Sequence, residues 1–150
     1  MSYQLAQFNI AQFLLPMEHP NNADFINNID RVNGAAESQP GFIWRLVGDG
    51  GVDNALEVKA YEDNHTAVNM SVWQDQQSLE EFVFRSEGHL SIMRRRREWF
   101  DKMEFYSVLW WVKAGHQPTV VEAKERLEQL RDNGPTVNAF TFRSSFPAPD

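Results

Sequence analysis

The sequence predicts an α+β fold, a ferredoxin-like antiparallel sheet with helices on one face. Three observations predict it. Stretches of strand and helix periodicity follow in the order β-α-β-β-α-β, extended by one α-β unit. The 150 residues suit a single domain with one core. The clearest strand pattern, Ala67 to Trp73, alternates as a strand does when its two faces meet different surroundings. The domain is expected over residues 1–143, with 144–150 as a loose C-terminal tail.

Each element has a local reason. Leu5 to Phe13 alternates loosely and is stopped by Pro16 and Pro20. Asn22 or Asp24 can cap a helix whose apolar positions are Phe25, Ile26, Ile29, Val32, Ala35 and Ala36, ended by Pro40-Gly41. Phe42 to Val47 forms a second strand before the glycines at 48, 50 and 51. Leu56 to Tyr61 predicts a small strand, and Glu62-Asp63-Asn64 a turn into Ala67–Trp73. Asp75 caps a helix that buries Leu79, Phe82 and Val83, and Gly88 marks a break. A second helical piece carries Ile92, Met93, Trp99, Phe100 and Met103. Phe105 to Val112 is an apolar strand. Thr119 and Glu122 have capping-box spacing and open a helix with Val120, Ala123, Leu127 and Leu130, stopped at Gly134-Pro135. Asn138 to Phe142 reads as a final strand.

Composition narrows the function. The chain has no Cys, so disulfides, thiolate nucleophiles and cysteine zinc sites are excluded. A net charge of -7 opposes general binding to nucleic acid or membrane surfaces. No apolar run approaches a membrane span, and Met1 to Phe13 lacks the charged start and apolar centre of a signal peptide, which points to the cytoplasm. Histidines and carboxylates show no metal-ligand spacing, and Gly48-Asp49-Gly50-Gly51 lacks the Lys and helix of a phosphate loop. The Arg94 to Arg97 run is interleaved with Glu87, Glu98 and Asp101, so it reads as a solvated face with one or two inward ion pairs. Aromatic content is high at 13%, which predicts large buried surfaces at a pocket, an interface or both.

Alternation sorts the strands into two faces. Ala6, Phe8, Ile10, Val68, Met70 and Val72 form an apolar set, expected under helices. Phe42, Trp44 and Leu46 oppose Ile43, Arg45 and Val47; on the fourth strand Tyr106, Val108, Trp110 and Val112 oppose Phe105, Ser107, Leu109 and Trp111. The second face therefore collects Gln7, Asn9, Arg45, Asn69 and Ser71 with the indoles of Trp73 and Trp111. Amides, a hydroxyl and a guanidinium among rings are the lining of a small-molecule cavity, which a homodimer joined sheet to sheet would close.

The segments GFIWRL, NMSVW, RRREWF, LWWVKAGHQPT and GPTVNAFTF resemble an uncharacterised bacterial domain-of-unknown-function family. That family is placed in the dimeric α/β-barrel superfamily with antibiotic-biosynthesis monooxygenases and haem-degrading enzymes. The resemblance implies the fold and a homodimer. It also implies that Asn9, Trp73 and His89 stand where relatives carry a strand-one Asn, a Trp ending strand three and, in the haem group, a His on the next helix.

Asn9 and Arg45 are candidates to hold or polarise a substrate oxygen, and His89 or His116 to move a proton. Gln7, Asn69, Ser71, Trp73 and Trp111 are candidates to line the substrate site. Each has a structural alternative: a cross-strand hydrogen bond for Asn9, a carboxylate across the dimer for Arg45, packing for the indoles, a turn for His116 and an exposed helix start for His89. The resulting expectation is a cofactor-independent, monooxygenase-like oxidoreductase for a planar aromatic or polyketide-like molecule, with no metal. A non-catalytic ligand-binding dimer and a haem-binding protein are the alternatives.

Overall fold

The computed structural model describes residues 2–47, 61, 65–101 and 106–149. The element order is β1 (Tyr3–Gln12), α1 (Ala23–Glu37), β2 (Phe42–Arg45), β3 (Thr66–Trp73), α2 (Gln76–Arg85), α3 (Glu87–Arg94), β4 (Ser107–Lys113) and α4 (Val120–Asn133). The four strands form an antiparallel sheet in the order β2-β3-β1-β4, the ferredoxin-like arrangement that the chain's pattern predicts. Of the small strand expected at 56–61 only Tyr61, in a bend, is among the described residues, and Met103 and Phe105 lie outside them.

The apolar face carries Ala6, Phe8, Ile10, Val68, Met70, Val72, Val108, Trp110 and Val112, and it packs on Ala123, Leu127 and Leu130 of α4. The mixed face is not left for a partner sheet. It lies beneath α1, α2 and α3, whose Ala36, Leu79 and Phe82 join Leu5, Trp73 and Leu109 in one cluster. A second cluster on the same face, Phe13, Ala67 and Trp99, takes in Phe25 of α1 and Ile92 of α3. The expectation of helices on one face is therefore corrected: α4 covers the apolar face, and α1 to α3 occupy the mixed face where a partner's sheet was expected. Strand alternation fixes which residues share a face but says nothing about which helix lands on it.

Three local differences have physical causes. A register irregularity between Phe42 and Trp44 puts Phe42 opposite Trp73, rather than on the side of Trp44. The two rings meet edge to face at 5.4 Å. Asn22 occupies the position before α1 but makes no cap bond, because its amide donates to Pro16 O at 2.9 Å and closes the preceding turn. The final strand reduces to an isolated bridge in which Leu109 and Phe140 exchange backbone hydrogen bonds of 2.8 and 2.9 Å. By contrast, Asp75 caps α2 through Ser78 N at 2.8 Å, and Thr119 caps α4 through Glu122 N at 3.1 Å. The break expected at Gly88 falls at Ser86, between α2 and α3.

Candidate functional site

The register of β1 brings the predicted residues together. Gln7 lies opposite Ser71, Asn9 opposite Asn69 on one side and Ser107 on the other, and Ser71 also faces Arg45. These residues form a polar band across the sheet between the two apolar clusters. Helix α1 rests on one cluster through Phe25 and on the other through Ala36. Helix α3 stands in the same way, with Ile92 in one cluster and His89 against Phe82 of the other. Both helices thus span the band, and the sheet surface beneath them is here termed the trough. Arg31 Nη2 ties them together by donating to Ser91 Oγ at 3.3 Å.

The trough floor is a directed hydrogen-bond network. Gln7 Nε2 donates to Asn69 Oδ1 and to Ser71 Oγ, both at 2.7 Å, and Trp73 Nε1 donates to the same Ser71 Oγ at 2.8 Å. Asn69 is exposed, so one end of the band opens to solvent, while Gln7 and Ser71 are each only 6% exposed. Asn9 Oδ1 is buried and accepts no hydrogen bond, an arrangement that costs stability unless a ligand supplies a donor.

Arg45 is 8% exposed and ion-pairs with Glu37 Oε1 at 3.3 Å, so its carboxylate comes from its own α1. Its backbone pairs with Ser71 at the edge of the band. Trp73 stacks on Phe82 with ring centroids 5.5 Å apart, and Phe82 contacts the His89 ring at 5.0 Å. Phe82 and Glu37 are the site neighbours that sequence reasoning missed. The signal for Phe82 was its place on the buried stripe of its helix; for Glu37 it was a carboxylate ending a helix, where the dipole disfavours it unless a cation answers.

His89 is half-buried, and its Nδ1 lies 3.0 Å from Val83 O. A carbonyl only accepts, so Nδ1 carries the proton and Nε2 keeps its lone pair. Burial holds the imidazole below the ordinary histidine range, partly offset by this hydrogen bond. The result is a neutral base at pH 7.

Two candidates are not in the trough. His116 is exposed beyond the end of β4 and pairs through Nε2 with Glu122 Oε1 at 2.7 Å. The other oxygen of Glu122 accepts from Trp110 Nε1 at 2.8 Å, which places this cluster with the apolar face. Trp111 lies at the rim of the Leu5 and Leu109 cluster, and its Nε1 donates to Phe146 O at 2.8 Å. Phe146, within the segment read as a tail, packs on Phe140 at 5.8 Å.

Two open surface concavities lie away from the band. One, of about 480 Å³, is lined by Pro20, Asn21, Asp24, Arg95 and Glu98, but Arg95 is already held by Asp24 and Glu98 at 2.8–3.0 Å and lies over Trp99. The other, of about 350 Å³, is lined by Leu90, Met93, Arg94, Arg96 and Arg97. Neither holds a buried unpartnered acceptor, which leaves the polar band beneath α1 and α3 as the better candidate site. Among the described residues, no group of three or more His, Asp or Glu could hold a metal ion, and no helix is long and apolar enough to cross a membrane.

The family described as Domain of unknown function (DUF3291) matches residues 4–150. The chain belongs to this family. Solved structures share its fold. A conserved protein from Methanosarcina mazei superposes with a TM-score of 0.50 at 16% identity, covering 73% of this chain and 91% of its own. A Mycobacterium tuberculosis protein gives a TM-score of 0.50 at 10% identity, with 77% and 99% covered. SnoaB from Streptomyces nogalater, a cofactor-independent oxygenase, gives 0.49 at 16% identity, with 77% and 97% covered. At such identities the likeness is one of fold. No curated protein matches the chain in sequence.

Proposed function

We propose that the trough beneath α1 and α3 binds a small planar aromatic or polyketide-like molecule and that the chain is a cofactor-independent, monooxygenase-like oxidoreductase. The observation that carries this reading is the unpartnered Asn9 Oδ1, buried on a polar floor between two aromatic clusters. An enolic or phenolic hydroxyl supplies the donor that Asn9 lacks. His89 Nε2, neutral at pH 7, accepts a proton from the ring methylene while the hydroxyl stays bonded to Asn9, and the Arg45 charge favours the resulting anion. The electron-rich anion of an anthrone-type methylene then reduces oxygen directly. A carbon–oxygen bond forms to give a hydroperoxide, the O–O bond breaks, and a ketone and water leave. One oxygen atom enters the product and the other leaves as water, so no external reductant is required.

In the same reading the chain works as a cytoplasmic homodimer. Support for the dimer comes from the apolar face: α4 packs along β4, while Trp44 and Leu46 near the opposite edge of the sheet stay half-buried.

The test is oxygen uptake by purified protein on a panel of anthrones and quinols, with product analysis for the new carbonyl. Uptake that His89→Gln strongly reduces supports the reading. Inertness across the panel overturns it, and a Soret band in the purified protein would favour the haem alternative.

A further inference from the structure

Hydrogen-bond direction in the trough leads beyond this reading to the kind of molecule it selects. An indole N–H can only donate, so Trp73 Nε1 fixes Ser71 Oγ as an acceptor on one lone pair. Gln7 Nε2 takes the second at 2.7 Å, and its other hydrogen goes to Asn69 Oδ1. A hydroxyl has two lone pairs and one hydrogen. Both lone pairs of Ser71 are used, which leaves its hydrogen as a donor with a fixed sense. Asn9 offers the reverse: Oδ1 is an acceptor with no donor.

Because Gln7 pairs with Ser71 and Asn9 with Asn69, Asn9 and Ser71 are diagonal neighbours on adjacent strands. Such neighbours lie about 7–8 Å apart, within reach of the two ends of one aromatic ring bearing two substituents. We propose that Ser71 and Asn9 together select ligands carrying a carbonyl and a hydroxyl on the same ring system: Ser71 donates to the carbonyl oxygen and Asn9 accepts from the hydroxyl. Trp73 and Gln7 are positioning residues, since they set the direction of the Ser71 hydroxyl. This inference rests on the trough being the ligand site, and it adds which functional groups the ligand must bear.

The test measures dissociation constants of the full chain for three probes: acetophenone, which only accepts; phenol, whose hydroxyl is the donor Asn9 lacks; and meta-hydroxyacetophenone, which carries both groups. The wild type is expected to bind meta-hydroxyacetophenone about tenfold more tightly than either single-group probe, one added hydrogen bond being worth roughly that factor. Asn9→Leu should erase the gain over acetophenone while leaving acetophenone affinity within about twofold, on the same reasoning. Trp73→Phe frees a lone pair on Ser71, so phenol should gain on acetophenone. This readout does not depend on Ser71→Ala folding.

Equal affinity of the wild type for acetophenone and meta-hydroxyacetophenone overturns the selection rule, whereas oxygen uptake on anthrones would still stand for the enzyme. An unchanged ratio in Asn9→Leu also overturns it. If no probe binds, both the selection rule and the trough as ligand site fall.

Discussion

Replacing Asn9 by Leu tests the trough through stability alone. The two side chains share the same branched heavy-atom skeleton, and position 9 lies between an apolar cluster at Leu5 and another at Phe13. In the free protein the buried Oδ1 makes no hydrogen bond. An unsatisfied buried polar atom costs about 1–3 kcal/mol, and replacing it by an apolar group of the same shape removes that cost. Asn9 is only half-buried, so the lower end applies and a gain of about 1 kcal/mol is expected. For a chain of this length that raises Tm by about 2–4 °C. The assay is thermal unfolding followed by circular dichroism, with a urea titration to check that the slope is unchanged. A variant that is more stable and yet loses its hold on hydroxylated probes has the signature of a site kept for function. If Asn9→Leu were destabilised by 1 kcal/mol or more, the amide would be structurally satisfied and the reasoning refuted.

Other perturbations follow from the same geometry. His89 has a folded-state pKa below its unfolded value of about 6.5, so it is neutral in both states at high pH and contributes no pH dependence there. As pH falls through 6.5 the unfolded chain takes the proton first and stability declines until the folded imidazole also titrates. His89→Gln should flatten this acid limb in denaturation at stepped pH, and an identical slope would contradict the assignment. Glu122→Ala strands the N–H of Trp110, which is 0% exposed, and should cost about 1–3 kcal/mol in urea unfolding. His116→Ala, removing only the exposed partner, should cost less than about 1 kcal/mol, and a larger loss than Glu122→Ala would reverse the roles. At Gly41, φ is +91° and an added Cβ would collide with the Ser78 side chain at the start of α2. Gly41→Ala is therefore expected to lose about 2–3 kcal/mol, and near-neutral unfolding would mean the turn can relax.

How far the sequence carried this reading differs between elements. Strand alternation alone put Gln7, Asn9, Asn69, Ser71 and Trp73 on one face, and the β1–β3 register joins those positions pair by pair. What alternation could not supply was the layer above them. Period two reports a strand's own pleat, whereas the seating of α1 and α3 depends on connections of many residues and on where Phe25, Ala36, Phe82 and Ile92 find apolar partners. Alternation alone puts Phe42 on the side of Trp44, because an irregular register leaves no mark in a four-residue strand. Glu122 shows competition between rules. Its spacing from Thr119 forms a capping box, and its backbone N–H does meet the Thr119 hydroxyl. Its carboxylate, however, goes to Trp110 and His116, because a fully buried indole N–H loses more by going unpaired than an exposed helix end does. His116 had no positional signal of this kind, since a loop residue carries no periodicity to assign its face.

The central claim is that small molecules bind on the sheet floor beneath α1 and α3, and nuclear magnetic resonance of the labelled protein tests it most directly. On titration with meta-hydroxyacetophenone, the side-chain amide resonances of Asn9, Gln7 and Asn69 and the indole N–H of Trp73 are expected to shift together and saturate with one dissociation constant. Shifts confined to residues around Leu90, Met93 and Arg96, with those four side chains unmoved, would place binding on the outer surface and contradict the account.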